Sequence, residues 1–271
     1  MSELSSSEPP SEPPSEPPSE PPSETPSETP SEPPSPTGPF VSDLFPFPSH
    51  LLSTQNYSTS TSHFVAQLNL LSETYSSIRI VKGDGSCFYR SFLYGLITIL
   101  AEPENESERL RIIEYVQKSI ITLEEQGYDP LIMEGFQEEL LELLTSTIPS
   151  SRSGSLNLHT TLTDPHGPSQ MSTWYCRPLC SSYIKSHPET FTPFLLSYPS
   201  LDSYCKSEIE PSSIESSEIS IQAIVKAFGV KVGVEYLDGH DEEKVVRHVF
   251  GEGLEINMLY RPGHYDLIYK K

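Results

Sequence analysis

The sequence predicts one α+β domain, a helical lobe followed by a small, mostly antiparallel sheet, behind a low-complexity N-terminal arm. Three observations carry this. Apolar residues recur at helical spacing between Ser62 and Phe228, the chain from Val230 onward alternates as strands do, and residues 2–39 offer almost nothing to bury.

The arm comes first. Ser-Glu-Pro-Pro repeats every four residues from Ser7, with Thr replacing one Pro in two units, and no Lys or Arg occurs in it. Such side chains cannot offset the entropy lost on ordering, and paired prolines favour extended polyproline II segments. Residues 1–45 are therefore expected to be a disordered spacer or docking arm, with serines and threonines open to phosphorylation. Phe40 to Pro48, aromatic and proline-rich, reads as a transition, and the folded domain is expected over 46–271.

Within the domain, Phe64, Leu68 and Leu71 give helical spacing from Ser62 to Tyr75. A Gly83-Asp84-Gly85 turn follows. Cys87 to Leu100, with Phe88, Phe92, Leu96 and Ile99 along one side, reads as a buried helix. Glu108 to Gln126 and Leu131 to Leu144 read as two more, the acidic run from Glu134 to Glu142 being a solvated face. Thr147 to Gln170, rich in Ser, Thr, Gly and Pro, reads as a long loop. Helical patterns resume between Ser172 and Leu196, interrupted by Pro178, Pro188 and Pro193. Ser220 to Phe228 is a short apolar helix. Val230 to Tyr236, Lys244 to Phe250, Glu255 to Arg261 and Tyr265 to Tyr269 read as strands, with a Pro262-Gly263 turn between the last two.

Charge narrows the function classes. The chain has 271 residues and a formal net charge of -21. Phosphate backbones and anionic membrane surfaces are bound by clustered Lys and Arg, so neither nucleic acid nor membrane is an expected partner. The longest apolar stretch, near Phe92 to Leu100, is too short to span a bilayer. The N-terminus opens on Ser, Glu and Pro rather than on a secretory signal, so Cys87, Cys176, Cys180 and Cys205 are expected as free thiols in the cytosol or nucleus.

Two segments could carry chemistry. Cys87 follows Gly-Asp-Gly-Ser and opens a helix, where unpaired N–H groups and partial positive charge favour a thiolate and an oxyanion. A small buried residue at a helix start is an equally good reading of that segment alone. His264 and Asp266 are two apart, so on one strand they face the same side, and the carboxylate can orient the imidazole. The alternative is an exposed turn histidine beside a solvated aspartate.

Taken together these segments resemble a known family. Gly83-Asp84-Gly85-Ser86-Cys87-Phe88-Tyr89-Arg90 resembles the nucleophile motif of the ovarian-tumour (OTU) class of deubiquitinating cysteine proteases. Leu259-Tyr260-Arg261-Pro262-Gly263-His264-Tyr265-Asp266 resembles the histidine strand of its otubain branch. Tyr75 to Arg79, Glu208 to Pro211, Glu218 to Ile221 and Val234 to Asp238 are similar to further otubain segments, in order, so the resemblance covers about Leu51 to Lys270. It implies a papain-like OTU domain that acts as a monomer, without metal or cofactor, on ubiquitin and polyubiquitin chains. By the resemblance Cys87 is the nucleophile, His264 the general base and then acid, Asp266 its orienter, and Asp84 the shaper of the oxyanion loop. It also implies a tendency toward chains linked through lysine 48, and binding of ubiquitin-conjugating enzymes. A non-catalytic regulator on the same fold, and a general papain-like peptidase, are the alternatives. Ser86 stands where otubains often have Asn, and Pro178 interrupts a stretch expected to be helical.

The remaining candidates have bland readings. Cys176 and Cys180, four apart with His187 nearby, suit small apolar residues on a helix face better than a zinc site, which needs four ligands. Cys205 and Trp174 are expected in the core, His248 in a strand, and His240 in a solvated turn. His50, His63, His159 and His166 lie in or near expected loops.

Overall fold

The computed structural model describes residues 38–53, 62–146, 158–237 and 244–271. Residues 1–37 of the expected arm, 147–157 of the expected loop, Asp238 and His240 lie outside these. Gly38–Lys271 form one compact unit, so the folded domain starts earlier than the expected boundary at residue 46. Phe40 and Val41 are buried. Val41 bridges Val81, and the Lys82 N–H donates to the Phe40 carbonyl at 2.9 Å. This stretch is proline-rich like the arm, but Phe40, Val41 and Phe47 supply apolar area that the repeat lacks, worth about 1.5–3 kcal/mol for each buried side chain.

The longer helices are α1 (Ser62–Leu71), α2 (Cys87–Leu100), α3 (Glu106–Glu125), α4 (Pro130–Ser146), α5 (Pro168–Ser186) and α6 (Glu218–Phe228). The strands are β1 (Phe45–Pro46), β2 (Tyr75–Arg79), β3 (Lys231–Tyr236), β4 (Val246–Gly251), β5 (Glu255–Arg261) and β6 (His264–Lys270). They form one six-stranded sheet in the order β1-β2-β6-β5-β3-β4. Among the described residues only β3 and β5 pair in parallel, and the other pairings are antiparallel. The α+β expectation holds, as does a mostly antiparallel sheet.

Three expectations are corrected. Helix α1 ends at Leu71, and Tyr75 begins β2, a strand whose one outer neighbour is the two-residue β1. The expected loop at 147–170 contains, in its described part, a helix over Leu158–Thr163 and the first residues of α5. Leu162 anchors that short helix in the core. Pro168 sits in the first turn of α5, where its missing N–H costs nothing. Pro178 does not break α5. A proline inside a helix costs about 3 kcal/mol, and Tyr175, Cys176, Leu179 and Cys180, all buried around it, offset that by packing.

Helix α2 is the pivot of the fold. It is buried on almost every face, with Phe88, Phe92 and Leu96 all at or below 1% exposed. It crosses the sheet at Gly95, where an added Cβ would lie 2.6 Å from Ile256. Phe88 packs edge-on against Tyr265 and Phe92 against Phe228. The N-terminus of α2 therefore rests beside the first residues of β6. Strand β6 lies inside the sheet between β2 and β5 and is reached by a two-residue turn, with Arg261 paired to His264. Pro262 fixes one φ and Gly263 takes a φ of +78°, the pattern of a type II turn.

Candidate active site

Asp84, Cys87, His264 and Asp266, from opposite ends of the domain, are brought to one place. Cys87 is the first residue of α2 and is 3% exposed. His264 and Asp266 point to the same side of β6, and the His264 Nε2 lies 2.9 Å from the Asp266 Oδ1. With Nε2 engaged there, Nδ1 is the ring nitrogen left for the Cys87 thiol, which is close enough to raise the imidazole pKa. Gly83 flanks that nitrogen, and a Cβ on it would reach Nδ1 at 3.4 Å.

Asp266 is fully buried, so each of its partners counts. Besides His264, its Oδ1 accepts from the Val81 N–H at 2.9 Å, and its Oδ2 pairs with Arg261. A buried carboxylate held in this way remains an acceptor that orients the ring. Burial by itself opposes charge on His264. The hydrogen bonds and charges of Asp266 and Cys87 outweigh it and push the imidazole up to about 9.

The loop before Cys87 is pinned from several sides. The Asp84 Oδ1 accepts from the Ser86 N–H at 3.1 Å, and its Oδ2 pairs with Arg90. Arg90 also donates to Gln170 at 3.0 Å and lies 3.7 Å over the Phe40 ring. Ser86 is the cap residue of α2, but its hydroxyl makes no cap hydrogen bond and donates instead to the Ser212 carbonyl at 3.2 Å. The first-turn N–H groups of α2, Cys87's among them, have no intrahelical acceptor and are of the kind that can stabilise a developing oxyanion.

Gly85 has a φ of +80°, and a Cβ there would sit 2.8 Å from the Ser213 Cα and 2.9 Å from the Ser212 carbonyl oxygen. Those are backbone atoms and cannot step aside cheaply. Gly85→Ala is expected to cost about 1–3 kcal/mol of stability, read as a lower midpoint of thermal unfolding.

A family model described as Peptidase C65 Otubain matches residues 34–270. The chain belongs to the otubain family. Among relatives of this otubain chain, the ubiquitin thioesterase otubain-like protein of Caenorhabditis elegans is 30% identical over 249 residues, covering 86% of this chain and 82% of that one. The OVARIAN TUMOR DOMAIN-containing deubiquitinating enzyme 1 of Arabidopsis thaliana is 30% identical over 252 residues, covering 86% and 81%. Among solved structures, a complex of ceOTUB1, ubiquitin aldehyde and UBC13~Ub matches with a TM-score of 0.75 at 30% identity, covering 86% of this otubain and 94% of that chain. A complex of h/ceOTUB1, ubiquitin aldehyde and UBCH5B~Ub matches with a TM-score of 0.72, also at 30% identity.

The other candidates fall elsewhere. Cys176, Cys180 and Cys205 are buried and free. His187 bonds the Tyr183 carbonyl at 2.9 Å and stacks on that ring. His248 lies on β4 and meets Glu218 at 3.1 Å. His159 sits on the short helix over Leu158–Thr163, between Tyr94 and Asp43. Trp174, expected in the core, is 39% exposed beside Phe136. Among the described residues, no group of three or more His, Cys, Asp and Glu side chains is placed to hold a metal ion. Sequence reasoning passed over Arg90 and Arg261 as motif flanks, and missed Phe40 and Arg177 altogether. The signal for Arg177 was present: a cation among Tyr175, Cys176, Leu179 and Cys180 on an otherwise apolar helix.

Proposed function

We propose that this otubain is a cysteine deubiquitinase that hydrolyses the isopeptide bond between the C-terminal glycine of ubiquitin and a substrate lysine. The observation that carries the reading is a thiol at a helix N-terminus beside an imidazole that a buried carboxylate holds in place. The thiol proton passes to His264 Nδ1, and the Cys87 sulfur attacks the glycine carbonyl. The carbonyl electron pair moves to oxygen, where the Cys87 N–H and the loop shaped by Asp84 stabilise it. Collapse of this adduct expels the lysine amine, which takes the proton from His264 and leaves a thioester. Water, giving a proton to His264, then releases ubiquitin with a free carboxylate and restores the thiol. Asp266 orients the ring throughout.

The acidic chain suits the arginine-bearing tail of ubiquitin. Ubiquitin-conjugating enzymes are proposed as further partners, since the similar solved complexes hold UBC13~Ub and UBCH5B~Ub. The four free thiols suit the cytosol or nucleus. A preference for chains linked through lysine 48 belongs to the same proposal, and a panel of all ubiquitin linkages tests it.

The deciding experiment is incubation with ubiquitin bearing a C-terminal electrophile. One covalent ubiquitin per chain is expected, and peptide mapping should place it on Cys87. No adduct, or an adduct at another residue, would overturn the proposal.

The N-terminal boundary is testable in the same assay. A chain beginning at Gly38 is expected to keep full kcat/KM, because the compact unit starts there. A chain beginning at Pro46 loses Phe40, whose ring lies against the Arg90 that holds Asp84. A cation over an aromatic ring contributes about 1–2 kcal/mol, so kcat/KM is expected to fall roughly 5- to 30-fold. Equal activity of the two chains would remove Phe40 from the support of the loop.

A further inference from the structure

The peptide linking Gly85 to Ser86 is clamped at both ends. Its N–H donates to the Asp84 Oδ1 at 3.1 Å. Its carbonyl accepts from the Arg177 guanidinium at 2.9 Å. The next peptide, Ser86 to Cys87, has its carbonyl taken by the Arg90 N–H at 2.9 Å, while its own N–H is the group at the head of α2. Peptides are planar, so fixing the first fixes the direction in which the second can turn.

Arg177 is 2% exposed and comes from α5, far along the chain from this loop. One terminal nitrogen donates to the Ile209 carbonyl at 2.9 Å. The other meets the carbonyls of Gly85, Ser212 and Ile214 and the hydroxyl of Ser86, at 2.9–3.3 Å. Its guanidinium carbon lies 4.7 Å from the Tyr89 ring centre. Among the described residues no carboxylate is within ion-pair distance of it. A buried cation without a counter-charge is costly, and neutral residues fill a core more cheaply. What a guanidinium offers in return is several donors in one rigid plane, which an ammonium cannot reproduce. Both terminal nitrogens go to the nucleophile loop and to the segment over residues 209–214 beside it, while the buried Nε makes no hydrogen bond.

We infer that Arg177 is a positioning residue for the hydrolysis proposed above, holding the Gly85–Ser86 peptide so that the Cys87 N–H aims at the oxyanion. The inference rests on that proposed reaction. Arg177 does not touch the reacting atoms, and it acts through the loop. Its loss therefore weakens the stabilisation of an oxyanion while leaving the base in place and the nucleophile on its helix, because His264 is held from β6 by Asp266 and Cys87 belongs to the buried α2.

Four measurements on full-length Arg177→Gln and Arg177→Lys separate this role from a general loss of structure. They are kcat and KM on ubiquitin with a fluorogenic C-terminal amide, affinity for ubiquitin aldehyde, affinity for free ubiquitin, and the pH profile of Cys87 alkylation by iodoacetamide. The aldehyde reports on the oxyanion, since addition of sulfur moves the carbonyl electron pair onto oxygen. Alkylation displaces iodide and forms no oxyanion.

For Arg177→Gln, kcat and aldehyde affinity are each expected to fall about 100-fold. KM, free-ubiquitin affinity and the alkylation profile are expected to stay within about twofold, the scale of changes that leave a site's geometry intact. Arg177→Lys is expected to recover part of the loss. Unchanged aldehyde affinity in either variant would overturn the inference, as would a fall in alkylation rate that matches the fall in kcat. If Arg177→Gln does not fold, Arg177→Lys alone decides by the same criteria. If wild-type protein forms no adduct with ubiquitin aldehyde, it is the proposed reaction that fails, whatever the variants do.

Discussion

Cys87→Ala is expected to abolish hydrolysis, with kcat falling by 10⁴-fold or more, and to abolish the covalent adduct with C-terminally activated ubiquitin. No other thiol can stand in. Cys176, Cys180 and Cys205 are all buried, and burial pushes Cys176 up to about 12 and raises the other two as well. They sit along α5 and near its C-terminal half, without an imidazole partner, as core side chains whose thiolate would find no water. Iodoacetamide at neutral pH is therefore expected to label Cys87 alone in the native wild-type chain, and peptide mapping checks this. Turnover by Cys87→Ala, or labelling of the other three at a comparable rate, would sink the assignment.

Asp266→Asn is expected to have the next largest effect. The carboxylate is the leading source of the raised His264 value, so removing its charge moves the imidazole down from about 9. The sign follows. A raised imidazole contributes stability that is fully present below its ordinary value, about 6.5, and is lost as pH rises through about 9. In the wild type the alkaline limb of kcat/KM is expected near pH 9, where the imidazolium discharges. In Asp266→Asn that limb shifts to lower pH, and kcat is expected to fall about 10²-fold or more because the ring loses its orienter. The amide also presents a donor where Val81 N–H, Arg261 and His264 all need an acceptor. Asp266→Ala removes the partner of a buried charge pair and is expected to cost about 3–5 kcal/mol of stability, read by denaturant unfolding. A pH profile that is the same in wild type and Asp266→Asn would refute the role assigned to Asp266.

Much of the fold was legible because it obeys one period at a time. Cys87 to Leu100 repeats its apolar residues at helical spacing and is a helix over those residues. Glu255 to Arg261 reads as a strand, is a strand over those residues, and ends on the Pro262-Gly263 turn. What escaped notice obeys no local period. Tyr75 to Arg79 is too short to show alternation, and its strand character comes from pairing with β6 at the far end of the chain. Phe40 and Val41 are embedded in prolines and read as a continuation of the arm, though two apolar side chains suffice to dock them. Pro178 carries the strongest local helix-breaking signal in α5, and the packing around it overrides that signal.

The site divides in the same way. Cys87, His264, Asp266 and Asp84 stood out because their chemistry is local to two short motifs. Arg177 and Phe40 support that chemistry across more than forty residues of separation, as hydrogen bonds from Arg177 to Gly85 and a ring contact from Phe40 to Arg90. Such support is a property of tertiary contact, and no spacing within one segment encodes it.

The bond from the Val81 N–H to Asp266 joins groups 185 residues apart. Closing so large a loop is slow compared with forming α2. During synthesis Cys87 leaves the ribosome long before His264 and Asp266 exist, and its helix can form while its base has yet to be translated. The nascent thiol is thus without its base until β6 is delivered, and reactivity arrives with that strand rather than with the helix that carries the thiol.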